Sequence, residues 1–160
     1  MDKKNMHKGN ENKYLSLTPL IEDHDEVILF CERIREALQR KIESNRIKGY
    51  IDWFKETYLD PHFEIEQEFI FPILGNNNVR VKRAIANHRR LNRLFNETSS
   101  LHTVFHKIEE ELTTYIGFEE GILYQEIRAI TTQEAWKEIE ELHSQLKFSD
   151  DEWTDRFWEV

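Results

Sequence analysis

Hydrophobic positions return at helical intervals along most of the chain. Leu20, His24, Val27, Ile28, Cys31, Leu38 and Ile42 fall on one face and predict a first helix to about residue 42. Thr18 reads as its N-cap and Pro19 as its first helical position, with Glu22 and Asp23 favoured in the first turn by the helix dipole. A second stripe through Ile47, Ile51, Phe54, Tyr58, His62, Phe69 and Ile73 predicts a helix over 46–74. Pro61 lies inside it, which predicts a kink or a re-start capped by Asp60. "GNNN" then stops the chain, with Gly75 suited to a left-handed cap. A third helix is expected over 79–97, with Val81, Ile85, His88 and Phe95 inward. After "TSS" a fourth runs over 101–130 through Ile108, Leu112, Tyr115, Glu119 and Ile122. Thr131 with Glu134 reads as a capping box opening a shorter helix to about residue 147, and Ser149 with Glu152 as a second box opening the tail.

Four long amphipathic helices with short connections imply an all-α fold: an up-down-up-down four-helix bundle with an additional C-terminal helix and an aromatic tail. Residues 1–15 are polar and expected to be disordered, 16–130 form the bundle, and 131–160 are a helical extension. Trp153, Phe157 and Trp158 give the tail two readings, a clasp over the bundle's flank or a surface for a homodimer or protein partner.

Composition narrows the function. With 22 basic and 31 acidic residues the net charge is −9, a poor match to phosphate backbones, so no nucleic-acid partner is expected. The single cysteine fits a reducing compartment, and no apolar run approaches the roughly 20 residues of a membrane span. A cytoplasmic protein without a membrane partner is the expectation.

The polar residues on the core stripes carry the chemistry. At 100° per residue, Ile51, Phe69 and Ile73 lie within about 20° of His62, and Glu66 within about 40°. His24 lies between Leu20 and Ile28, His88 shares a face with Val81 and Phe95, and Tyr115 and Glu119 flank the direction of Ile108. His102 and His106 point away and read as surface residues. A single inward histidine is usually a hydrogen-bonded core residue. Three of them with two inward glutamates are harder to dismiss, because buried carboxylates are costly unless paired or bound to a cation. No Lys or Arg shares their stripe. A metal ion would satisfy all five groups, and imidazole with carboxylate but no thiolate favours iron or manganese, with zinc left open. Gly117 and Gly121 flank Glu119 at a helix-propensity cost of about 1 kcal/mol each, read either as close helix packing or as space for a small molecule.

The segments "EDHDEV", "HFEIEQEFIFPIL", "NHRRL" and "FEEGILYQEI" resemble the successive signatures of the hemerythrin-like (HHE cation-binding) domains, over roughly residues 17–130. The resemblance implies a four-helix bundle holding a non-haem di-iron centre, with His24, His62, Glu66, His88 and Glu119 as metal ligands. One departure falls on the fourth helix, where Tyr115 stands in place of the family's histidine. Its phenolate either replaces that imidazole, stands beside the metal, or marks a weak or empty second site. Asn92 stands four residues after His88, where some members carry a further histidine. The resemblance also implies a protein that handles O2, NO, peroxide or iron in sensing, storage or repair. No substrate pocket or proton-transfer group marks a dedicated enzyme. The alternative is a regulatory or interaction bundle with a degenerate or single-metal site.

Overall fold

The computed structural model describes residues 18–146 and 149–159. The predicted disordered segment 1–15 lies outside the described residues. Five helices form, with no strand among the described residues. Helix α1 consists of Thr18–Asp23 and Asp25–Gln39, joined at His24. Helix α2 covers residues 44–74 without a loop, as Ser44–Phe54, Lys55–Leu59, Asp60–Ile65, Glu66–Ile70 and Phe71–Leu74. Helix α3 is Val79–Phe95. Helix α4 covers residues 101–130 as Leu101–Phe118, Glu119–Leu123 and Tyr124–Ile130, and α5 is Gln133–Ser144. The tail holds two short 3-10 turns, Asp150–Glu152 and Phe157–Glu159, where the sequence suggested a helix start.

Lys55–Leu59, Glu66–Ile70 and Glu119–Leu123 are π turns, closed by i→i+5 hydrogen bonds. Two of them end two residues before a proline. A proline ring collides with the carbonyl four residues back, and widening the turn before it moves that carbonyl aside. Pro61 and Pro72 are thereby carried inside a continuous helix, and the predicted re-start at Asp60 does not occur.

These wide turns also rotate the buried face. Counting at a constant 100° per residue turns Phe69 and Ile122 inward, but they are 43% and 37% exposed, while Ile70 and Leu123 are fully buried. Each π turn takes up one extra residue, so the inward direction arrives one position later. At His24 the effect is reversed. Its amide bonds to Ile21 O at 3.0 Å, a tight i→i+3 closure, so Val27 is buried and Ile28 is 42% exposed.

The caps follow their local chemistry. Asn78 accepts from the amides of Arg80 and Val81 to start α3, and Thr132, one residue later than predicted, accepts from Ala135 N to start α5. Gly75 adopts φ 88°, open to glycine because it has no Cβ.

Cross-helix pairs set the registers. Along α1 and α4, His24 meets Glu120 and Arg35 meets Glu109. Along α3 and α4, Arg80 meets Glu126, His88 meets Tyr115, and Arg90 meets Glu111. Helix α5 packs on the first turn of α1 and on Asp60–Ile65 of α2. The tail packs elsewhere: Phe157 and Trp158 are buried against Tyr50, and Trp153 stacks on Trp53 at 5.1 Å. Arg46 grips Asp155 through two nitrogens, and Arg33 lies over the Trp158 ring at 4.5 Å.

Candidate metal centre

The six residues singled out from the sequence converge. His24 comes from the junction in α1, His62 and Glu66 from α2, His88 from α3, and Tyr115 and Glu119 from α4; none is more than 4% exposed. Burial is dictated by their stripes, since each flanks large apolar residues that the core must cover.

They form two halves joined by Glu66. In one half Glu66 Oε2 lies 2.8 Å from His88 Nε2 and accepts the Tyr115 hydroxyl at 2.8 Å, while Tyr115 and His88 are 2.7 Å apart. In the other half the donor atoms of His24, His62 and Glu119 lie within 4.8 Å of one another. Both imidazole Nε2 atoms stand 3.9 Å from Glu119 Oε2. Glu66 Oε1 approaches His62 Nε2 at 2.9 Å without completing a hydrogen bond. Glu66 thus presents one oxygen to each half.

Tyr115 reaches the level of His88 through a short connection, residues 96–100, where helix lengths alone demand a looser one. Side chains lean toward the N-terminus of their own helix. On α3 that direction leads away from the connection, and on α4 it leads back toward it, so the two side chains meet.

Burial and charge divide the groups. Burial works against a charged imidazole at His62, but Glu66 and Glu119 outweigh it and raise its pKa to about 10. Burial likewise opposes the Glu66 carboxylate, yet its hydrogen bond with Glu119 and the adjacent His62 hold it well below the usual range. Glu119 is pushed well above that range by burial and by Glu66, so it keeps the proton the two carboxyls share. Burial first, then Glu119 and Glu66, raise the phenols of Tyr115 and Tyr124 far above the ordinary value. His24 is lowered, first by burial and then by His62.

The donor set fits a cation. Glu66 and Glu119 have histidines as their ion partners, and Glu66 Oε1 has no hydrogen bond. Imidazoles and a carboxylate spaced around a common point suit bonds of about 2.0–2.2 Å to a first-row metal. The half with His88 and Tyr115 is instead closed by hydrogen bonds among its own members.

Four neighbours escaped the sequence reading. Tyr124 donates to Glu119 Oε2 at 2.5 Å and lies 3.4 Å from His24 Nε2. Counted at 100° per residue it stands about 140° from Glu119, and the wide turn between them brings it in. Glu120 bonds His24 Nδ1 at 2.9 Å, and the Gln67 amide bonds His88 Nδ1 at 3.2 Å. His143 on α5 is fully buried with its ring 5.1 Å from that of His62; its spacing from Trp136 and Ile139 was the available signal. Neither reading of the glycines holds. Gly117 and Gly121 are exposed, and a Cβ on either would meet nothing within 4 Å. His102 and His106 lie away from the centre, as expected, with their rings 4.9 Å apart. A surface cleft of about 290 Å³, lined by Asp60, Phe63, Gln67, Arg89 and Asn92, reaches the outer edge of His88.

A family model described as the hemerythrin HHE cation binding domain matches residues 16–102. No curated protein and no solved structure matches the chain. The matched stretch carries His24, His62, Glu66 and His88 and stops short of Tyr115 and Glu119, which join them through the geometry of α4.

Proposed function

The chain belongs to the hemerythrin HHE cation-binding domain family, and on that footing we propose that it binds non-haem iron at a two-ion centre and handles O2, NO, peroxide or iron itself. His24, His62 and Glu119 would hold one ion, and His88 with Tyr115 the other. The observation that carries this reading is Glu66, with one carboxylate oxygen toward each half. The opposed pairings along α1, α3 and α4 support an up-down-up-down arrangement of the first four helices, which brings ligands from all four to one level.

Bound iron would supply the open position for a diatomic ligand; the chain does the rest. Glu66 and Glu119 provide the negative charge, and one proton must leave Glu119 as the ions enter. Tyr115 must likewise give up its hydroxyl proton to bind as phenolate, a step that a trivalent ion favours. Glu120 and Gln67 orient the rings of His24 and His88 from behind. Phe63, stacked on His88 at 3.7 Å, shields that side from water. A cytoplasmic setting accords with a single buried thiol, Cys31, pushed up to about 11 by burial.

Iron per chain tests the reading, measured after expression in iron-supplemented cells. About two ions are expected if both halves fill, as in di-iron carboxylate bundles. A single ion would favour a second reading, motivated by the hydrogen bonds that already satisfy Glu66, His88 and Tyr115 without any metal. Iron-free protein with an intact fold would leave the bundle as a scaffold. Ferric protein should show a phenolate-to-iron absorption band that Tyr115→Phe abolishes; a ferric protein without that band would remove Tyr115 from the ligand set.

A further inference from the structure

A histidine that holds a metal through one ring nitrogen usually donates from the other to a fixed acceptor, which sets the ring's tautomer and direction. Two of the three family histidines have such a partner here. His24 Nδ1 has Glu120 at 2.9 Å, and His88 Nδ1 has Gln67 at 3.2 Å. His62 has none: its Nδ1 is buried without a hydrogen bond. The ring packed against it, His143, has a buried nitrogen in the same condition, Nε2.

The two atoms are complementary. His143 Nδ1 lies 2.8 Å from Ile139 O, and a carbonyl only accepts, so Nδ1 carries the hydrogen. Nothing accepts from its buried Nε2, so the ring carries its one hydrogen on Nδ1. Its Nε2 is therefore a bare lone pair. His62 turns Nε2 toward Glu66, and a metal at that nitrogen leaves the ring's hydrogen on Nδ1; without a metal, acceptors facing both nitrogens, Glu66 and His143, favour a ring with a hydrogen on each. The ring centroids are 5.1 Å apart with planes at 79°. Two imidazoles joined by an N–H···N bond of about 2.9 Å have centroids about 5 Å apart, so a modest ring rotation completes the bond.

We propose that His143 is a positioning residue for the metal centre, its Nε2 accepting the Nδ1 hydrogen of His62 and fixing that ring with Nε2 toward Glu66 and Glu119. The hydrogen bond stands on geometry alone, and its service to a metal rests on the proposed function. It makes α5, which lies beyond the matched stretch 16–102, part of the centre rather than an appendage.

Histidine 15N NMR on the full metal-free chain tests the bond. We expect His143 protonated on Nδ1 only, and a His62 Nδ1 hydrogen slow to exchange with solvent that shifts or exchanges rapidly in His143→Leu. A His143 ring protonated on Nε2, or a His62 signal indifferent to His143→Leu, would overturn the proposal. Co2+ binding gives the second readout. His143→Leu should bind Co2+ about 10–100-fold more weakly, and His143→Gln, which keeps an acceptor, should recover most of that loss. Thermal unfolding of the metal-free variants separates a folding defect from a binding one. Unchanged Co2+ affinity in a folded His143→Leu would overturn the positioning role. Failure of the unaltered protein to take up Co2+ would overturn the metal reading, and the NMR result would still decide the hydrogen bond.

Discussion

Glu66 and Glu119 touch in the middle of the bundle, and one proton distinguishes them. Glu66 is held as the anion beside His62, whereas Glu119 keeps its proton. Their amide variants should therefore differ in metal-free protein at pH 7. Glu119→Gln replaces a neutral group by a neutral group of the same shape and should change unfolding free energy by no more than about 1 kcal/mol. Glu66→Gln strips the counter-charge from a buried imidazolium and should cost about 3–5 kcal/mol, read from urea midpoints. His62 predicts the pH dependence. Its folded pKa of about 10 lies above the usual 6.5, so its stabilisation is complete below 6.5 and drains away as pH rises toward 10. Denaturation of metal-free protein across that window should show falling stability; a flat profile would mean His62 is neutral. The six central residues were legible because each sits on a stripe whose apolar members had to be buried. Tyr124 was not, since its direction depends on a turn whose width the spacing does not announce. His143 lay on a readable stripe beside Trp136 and Ile139, but its meaning comes from His62, which is distant in sequence.

Helix existence and ends were close to what periodicity predicts: α3 was expected over 79–97 and is Val79–Phe95, and residues 101–130 are helical as read. Rotation within the helices was less legible. Two of the three π turns left a trace, because Pro61 and Pro72 each sit where an unbroken α-helix would clash. The third, Glu119–Leu123, has no proline, and the misplacement of Ile122 follows from it. The glycines beside it illustrate how propensity alone misleads. Gly117 is exposed, lies in regular helix and has open space where a Cβ would stand. Gly117→Ala should thus stabilise the protein by about 0.5–1 kcal/mol, visible as a higher urea midpoint with an unchanged slope. A destabilised variant would mean that the glycine serves a contact made outside the chain.

At the scale of the molecule, the C-terminal extension does two separate things. Helix α5 covers the centre, and the tail closes the flank around Tyr50 and Trp53. Tyr50 is twelve residues before His62 on α2, or about 18 Å along the helix. Phe157→Ala, which empties a fully buried ring site, should cost about 3–5 kcal/mol in thermal or urea unfolding while leaving metal affinity unchanged. Weaker metal binding in the folded variant would show that flank and centre are coupled. The break between α4 and α5 could be read from the chain, because Thr131 and Thr132 punctuate it. Which face each part covers could not, since that depends on packing between segments far apart in sequence. The three wide turns have a last consequence, best put in terms of descent. Each holds one residue more than a regular helical turn, taken up without lengthening any loop. Loss of a single codon could undo it. A chain that dropped Glu68 would close the turn as regular helix and still carry Ile70 inward; one that dropped Glu120 would lose the partner of His24 but leave Tyr124 four residues after Glu119, on the same face. In such lineages the buried face would persist after the wide turn that shifted it had gone.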